Sequence, residues 1–250
     1  MFPKRLGYSL PLTKPSNTLI HRITQVLEDF VSLFFPNYCF ACEDSLVKGE
    51  EIICTRCLLE MPKTDFHIYQ ENEFFVKLIG RVPVKRVLAL FKFSKNSRVQ
   101  QLLHTLKYGN RPEIGVKLGS YYGSILENDY RDEFDLVIPV PLHKNRQRQR
   151  GYNQSAEFGR GLAETLGLVF DDDILERIRT TETQTKKTKL LRWKNVKHVF
   201  NVKNPDRLVD KRVLLVDDVI TTGATLEACA EKILEHRVRA LSIACIAAAH

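Results

Sequence analysis

At 250 residues, with 44% hydrophobic and 27% charged side chains, the chain has the composition of a soluble globular protein and room for one α/β domain plus a small appendage. No apolar run approaches the ~18 residues of a membrane span, and the opening MFPKRLGYSLP lacks the continuous apolar stretch of a signal peptide, so a cytoplasmic location with reduced cysteines is expected. The net charge of +8 is concentrated, with +4 on Lys144, Arg146, Arg148 and Arg150 and +7 across residues 177–197, which points to a polyanionic ligand; pyrophosphate and nucleic acid both qualify.

Residues 1–35 read as an extension. An irregular lead is followed by a helix capped by Asn17, with apolar Leu19, Ile20, Ile23, Val26, Leu27, Phe30, Val31 and Phe34 at helical period and Pro36 beyond its end. Its polar face carries too few cations for membrane binding, so docking on the protein's own body is expected. Cys39-Phe-Ala-Cys42 and Cys54-Thr-Arg-Cys57 come next, eleven residues apart, with Gly49 in the connecting turn. Two C-x-x-C pairs at this spacing read as a closed four-thiolate site for structural Zn²⁺, making residues 36–62 a zinc module. Four thiolates leave no open position for catalysis.

From residue 80 to 250 strands and helices alternate, which predicts a mostly parallel sheet flanked by helices. Strands are expected at residues 87–93, 136–140, 168–170, 213–216 and 241–247. Helices are expected at 100–107, 115–126, 154–166 and 226–236. Cys229 and Cys245 fall in the last helix and strand and read as packed thiols. Residues 171–200 have few strand signals, many Thr and Lys, and no Gly or Pro, so this long irregular segment is expected to be functional or disordered.

Two segments carry the chemistry. The strand at 136–140 leaves through Pro139 and Pro141 to His143 and enters Lys144-Asn-Arg146-Gln-Arg148-Gln-Arg150-Gly151-Tyr152-Asn-Gln154. Its alternating arginines suit paired phosphate oxygens, or form one face of an extended solvated strand. The strand at 213–216 is expected to end at Asp217 and Asp218, followed by Val219, Ile220, Thr221, Thr222, Gly223, Ala224 and Thr225 at a helix start. Carboxylates beside a turn that presents free N–H groups suggest a sugar phosphate, the acids serving its hydroxyls or the water shell of Mg²⁺. No P-loop motif is present.

This Asp-Asp-Val-Ile-Thr-Thr-Gly-Ala-Thr run resembles the phosphoribosyl pyrophosphate (PRPP) motif of type I phosphoribosyltransferases. With the double C-x-x-C, Leu106-Lys107-Tyr108-Gly109, Val-Pro-Val-Pro-Leu-His before Arg-x-Arg-x-Arg-Gly-Tyr-Asn-Gln, and Thr183-Gln184-Thr185, the chain resembles the ComF (competence protein F) family. The resemblance implies a type I phosphoribosyltransferase fold with a small N-terminal zinc module. It implies that Asp217 and Asp218 hold the ribose hydroxyls and that Thr221, Thr222, Gly223, Ala224 and Thr225 wrap the 5′-phosphate. It also implies that Arg146, Arg148 and Arg150 take the pyrophosphate of Mg²⁺–PRPP, and that a mobile loop supplies a further cation from Lys186, Lys187 or Lys189. The implied reaction moves ribose 5-phosphate to a nitrogen acceptor. A part in DNA uptake is implied too, the alternative being a non-catalytic protein that senses PRPP or binds single-stranded DNA and other uptake factors. Tyr152, Trp193 and Phe200 are then the candidate stacking rings.

Overall fold

The computed structural model describes residues 36–178 and 199–249. The expected N-terminal helix, Lys186 and the other loop lysines, and Trp193 lie outside them.

Strands β1 (Val87–Phe93), β2 (Leu136–Pro139), β3 (Val169–Phe170), β6 (Arg212–Ile220) and β7 (Ala240–Ala249) form one parallel sheet in the order β1-β7-β6-β2-β3. Strands β4 (Leu175–Arg177) and β5 (Phe200–Val202) make a separate antiparallel ribbon. The helices are α1 (Thr55–Glu60), α2 (Glu73–Ile79), α3 (Arg98–Tyr108), α4 (Glu113–Tyr130), α5 (Lys144–Arg150), α6 (Gln154–Leu166) and α7 (Ala224–Leu234).

Because successive strand residues point to opposite faces, β6 serves two cores at once. Leu214 and Val216 pack with Leu102 and Leu106 of α3, Leu118 of α4 and Phe158 of α6. Val213 and Leu215 pack with Phe74 and Leu78 of α2, Phe200 of β5 and Leu226 and Ile233 of α7. Burial on both faces also explains why β1 does not alternate, since Val87 through Phe91 are all buried. The outer edge of β1 is covered by the segment after the cysteines: Thr64 N–H donates to Leu90 C=O at 2.9 Å and Lys92 N–H to Pro62 C=O at 2.8 Å. An edge strand is thereby closed to foreign pairing.

The structure corrects the expected elements at four places. Strand β6 continues through Ile220, because β7 is long enough to pair Asp217 with Cys245 and Val219 with Ala247; the two acids lie inside the strand rather than after it. The arginine segment is helical, not extended. Strand β4 lies within residues 171–200, where few strand signals were read, and β5 begins at the end of that segment. Helix α2, capped by Asn72 Oδ1 accepting from Phe75 N–H at 3.1 Å, lies where no element was expected.

Helices α4 and α6 approach at backbone contact. A Cβ on Gly119 would lie 2.1 Å from Phe158 O, and one on Gly161 2.1 Å from Val116 O. Gly161→Ala is expected to force the helices apart and cost about 3 kcal/mol in urea unfolding, against a small effect at an exposed helical site.

Asp135, just before β2, accepts from Arg212 Nη2 at 2.5 Å, Nε at 2.9 Å and the Arg212 N–H at 2.8 Å. The Arg212 guanidinium outweighs partial burial and holds the carboxyl down at about 2, from an ordinary 3.8. A lowered folded-state value adds stability above the unfolded value and loses it as pH falls toward the folded one. The stability gap between wild type and Asp135→Asn is therefore expected to shrink from about 1–2 kcal/mol at pH 7 to near zero at about pH 2, read by denaturant titration at several pH values.

Candidate functional site

The site begins with the two acids of β6. Asp217 Oδ1 accepts from Ser155 Oγ at 2.8 Å and from the Asp218 N–H at 2.9 Å. Burial first, and the adjacent Asp218 charge second, push the Asp217 carboxyl up to about 7. Asp218 Oδ2 pairs with Lys107 Nζ at 2.9 Å, from the last turn of α3. The pair is thus braced from two helices, α6 through Ser155 and α3 through Lys107.

After β6 the chain turns through Thr221 and Thr222, both exposed, to Gly223, buried at φ +79°. A Cβ on Gly223 would meet Leu78 Cδ2 at 3.1 Å, and the left-handed φ also disfavours other residues. Helix α7 starts at Ala224 and Thr225, both exposed, with no side-chain cap from Gly223. Ala224 N–H makes a long 3.4 Å bond to Thr222 Oγ1. The positive end of the helix dipole and open N–H donors therefore face solvent beside two carboxylates.

The basic wall lies at α5. No residue of this seven-residue helix is buried, so polar ties hold it. His143 Nδ1 accepts from Asn145 N–H at 3.2 Å, and Gly151, at φ +79°, closes the last turn with its N–H on Gln147 C=O at 2.8 Å. Asn153 Nδ2 donates to Val140 C=O at 2.9 Å. Helical geometry places Arg146 and Arg150 on one side and Arg148 on another. Arg150 donates to Gln154 Oε1 at 2.7 Å and lies 5.1 Å from the ring centre of Tyr108. Tyr152 OH donates to Leu106 C=O and accepts the Arg111 N–H at 3.2 Å, tying the end of α3 to the turn after α5. Between these elements runs a cleft of about 580 Å³, lined by Lys107, Tyr108, Asn110, Arg146, Arg148 and Arg150 among others.

Arg177 of β4 adds a further cation. Its guanidinium lies 5.4 Å from the Phe200 ring centre, and burial followed by the nearby charge of Arg146 lowers its pKa. Like charges held together in partial burial favour an anion between them. Arg177 was visible in the sequence only as part of the charge count. Ser155 gave no signal there, and Lys107 appeared only within a family mark. Among the expected stacking rings, Phe200 is 3% exposed and the Tyr152 hydroxyl is committed to the backbone, so neither is an open platform. Tyr108, at 66%, is the exposed ring beside the arginines.

The four sulfurs of Cys39, Cys42, Cys54 and Cys57 lie within 4.8 Å of one another, close enough to hold a metal ion. Cys42 and Cys54 are 3.7 Å apart, near the ~3.8 Å edge of a tetrahedron with bonds of about 2.3 Å. Cys39 Sγ accepts from the Ala41 and Cys54 N–H groups at 3.4 and 3.3 Å. Burial opposes its ionisation, but these N–H donors prevail and bring the thiol down to about 7. Cys229 and Cys245 are fully buried and their thiols are pushed well up by burial.

Residues 152–250 match the model of the phosphoribosyl transferase domain. Over 214 residues the chain is 34% identical to competence protein F of Haemophilus influenzae, covering 77% of this chain and 89% of that protein. The chain belongs to the ComF family. Its α/β body accordingly has the type I phosphoribosyltransferase fold. ComF relatives include the DNA utilization protein YhgH of Salmonella typhi, 31% identical over 149 residues; the match covers 58% of this chain and 65% of the relative, less than two thirds of its length. Among solved structures, the glutamine PRPP amidotransferase of B. subtilis, complexed with ADP and GMP, aligns over 57% of this chain and 30% of its own, at 19% identity and a TM-score of 0.40.

Proposed function

We propose that this ComF protein binds PRPP with Mg²⁺ and transfers its ribose 5-phosphate to a nitrogen acceptor, releasing pyrophosphate. The observation that carries the reading is the braced pair Asp217 and Asp218 beside the uncapped start of α7, joined to the arginine cleft through Lys107, which pairs with Asp218 and lines that cleft. Asp217 and Asp218 would accept from the ribose 2′- and 3′-hydroxyls, the open N–H groups and hydroxyls of residues 221–225 would surround the 5′-phosphate, and Arg146, Arg148 and Arg150 would meet the pyrophosphate.

The carboxylates and phosphate oxygens are the hard donors that Mg²⁺ prefers, and when bound it would offset the charge of the departing pyrophosphate. Bond breaking at C1′ develops positive charge on the sugar and negative charge on the leaving group. The chain's part is to hold both in line and to supply cations where the negative charge grows. No side-chain nucleophile is required. Burial and the neighbouring Asp218 charge favour the protonated form of Asp217, and Ser155, by donating to Asp217 Oδ1, favours its ionised, acceptor form.

Relatives named competence protein F and DNA utilization protein suggest that the activity belongs to DNA uptake. A second reading, binding of single-stranded DNA, is favoured by the exposed Tyr108 beside the arginines, a phosphate-plus-ring arrangement suited to unpaired bases. The four cysteines would hold a structural Zn²⁺, the ion favoured by four thiolates in a closed tetrahedron.

Calorimetric titration of Mg²⁺–PRPP should show micromolar binding to the wild type and loss of at least about tenfold in affinity with Asp217→Asn/Asp218→Asn, provided circular dichroism shows the variant folded. No heat from the folded wild type would reject the transferase reading and leave nucleic acid as the ligand to test.

Metal analysis of purified protein is expected to give one zinc per chain. Stripping it with a strong chelator should lower the melting temperature by several degrees, because residues 62–64, which follow the cysteines, cover the edge of β1. Unchanged melting after complete zinc removal would count against the structural role.

A further inference from the structure

We propose that Lys107 is an exchange cation, holding Asp218 until a metal–pyrophosphate ligand arrives and then serving the phosphate oxygens of that ligand. The inference rests on the PRPP reading of the site and adds to it a residue and a selectivity: the site takes the metal complex of a pyrophosphate ester in preference to the bare divalent ion.

Three observations carry it. Lys107 Nζ is 2.9 Å from Asp218 Oδ2, and among the described residues it is the one cation within ion-pair distance of either member of the acidic pair. Asp217 and Asp218 are consecutive carboxylates, and like charges side by side repel, so an ammonium on Asp218 stabilises the pair when nothing else neutralises it. Lys107 also lines the cleft together with Arg146, Arg148 and Arg150, so the same side chain borders the acids on one side and the anion-attracting wall on the other.

The backbone around Lys107 is fixed, which leaves its flexible stem as the moving part. Leu106 is fully buried, and its carbonyl accepts from Tyr152 OH; Gly109 N–H closes the helix on Thr105 C=O at 2.7 Å. The Lys107 side chain itself is 25% exposed and therefore has room to reorient. Lysine suits this use better than arginine would, being a compact charge on four rotatable carbons and without a planar fork to commit it to one carboxylate.

The electrostatic consequence is directional. A bare divalent ion approaching Asp218 must displace the ammonium and leave it beside a second positive charge, in a cleft that already holds three arginines. A metal–pyrophosphate complex brings phosphate oxygens with it, so the displaced ammonium finds an anion within reach. Lys107 thus opposes the free ion and favours the complex.

The test separates these two effects. Bare Mn²⁺ binding is measured by electron paramagnetic resonance, and Mg²⁺–PRPP and Mg²⁺–pyrophosphate binding by calorimetry, for wild type, Lys107→Ala and Lys107→Arg. The expected pattern for Lys107→Ala is a change of opposite sign: Mn²⁺ alone binds about tenfold tighter and Mg²⁺–PRPP about tenfold weaker, as suits gain or loss of one charge-assisted contact. Lys107→Arg should recover the PRPP arm only in part. If Lys107→Ala weakens both ligands, the lysine is a strut for the acidic pair and the proposal fails. If it alters neither, Lys107 is a bystander and the proposal fails as well. Thermal melts establish that each variant is folded. Failure of the PRPP reading itself would look different, as absence of Mg²⁺–PRPP binding to the wild type.

Discussion

The pairing of β6 with β7 is the constraint on which the site depends. Eight residue pairs run from Arg212 opposite Ala240 to Ile220 opposite Ala248, and Asp217 and Val219 stay in register with Cys245 and Ala247. A strand that ended at Val216 would leave two adjacent carboxylates on a loop, free to separate. Kept in the ladder, they have fixed positions, and the partners on neighbouring helices can be matched to them. Ser155 and Lys107 do this at 2.8 and 2.9 Å. Gly223 then sits at a set distance from the acids because it follows only three residues after Ile220, which is paired with Ala248.

The anionic and cationic halves of the site are built by different means. The acids belong to the central strand of the sheet, in which Val213 to Val216 are entirely buried. The arginines stand on α5, a single short helix with nothing buried, held by hydrogen bonds at His143, Gly151 and Asn153 and by the contact of Arg150 with the Tyr108 ring. A rigid reference and an adjustable wall are a reasonable division of labour for a ligand whose phosphates must be both gripped and let go.

Much of this was legible in the residues. The strand at 87–93 and the helix at 154–166 agree with the observed Val87–Phe93 and Gln154–Leu166, because each is a strongly apolar or strongly periodic run with clear punctuation. The cysteine spacing foretold the cluster of sulfurs. What escaped notice was tertiary in origin. Asp217 and Asp218 look like strand breakers locally, and only the length of β7 keeps them in the sheet. The arginine run has no apolar stripe, so no periodicity marked it as helical; its N-cap and C-cap, His143 and Gly151, were the available signals. Ser155 and Lys107 are chemically ordinary, and their importance comes from what faces them across the fold.

The place of β7 has a consequence for how the chain reaches its structure. It is the last of the strands along the chain, yet it lies between β1 and β6, with Val87 opposite Ile243 on one side and Val213 opposite Leu241 on the other. Until it inserts, β1 with its cysteine-bearing cover and the β6-β2-β3 group have no ladder between them. During synthesis the two halves of the sheet must therefore wait, each with an open inner edge, for a strand more than 140 residues after β1. Such non-local parallel pairing is slow and exposes edges to other chains meanwhile. A nearly all-apolar strand, ALSIACIAAA, is well suited to be drawn into that gap once it emerges.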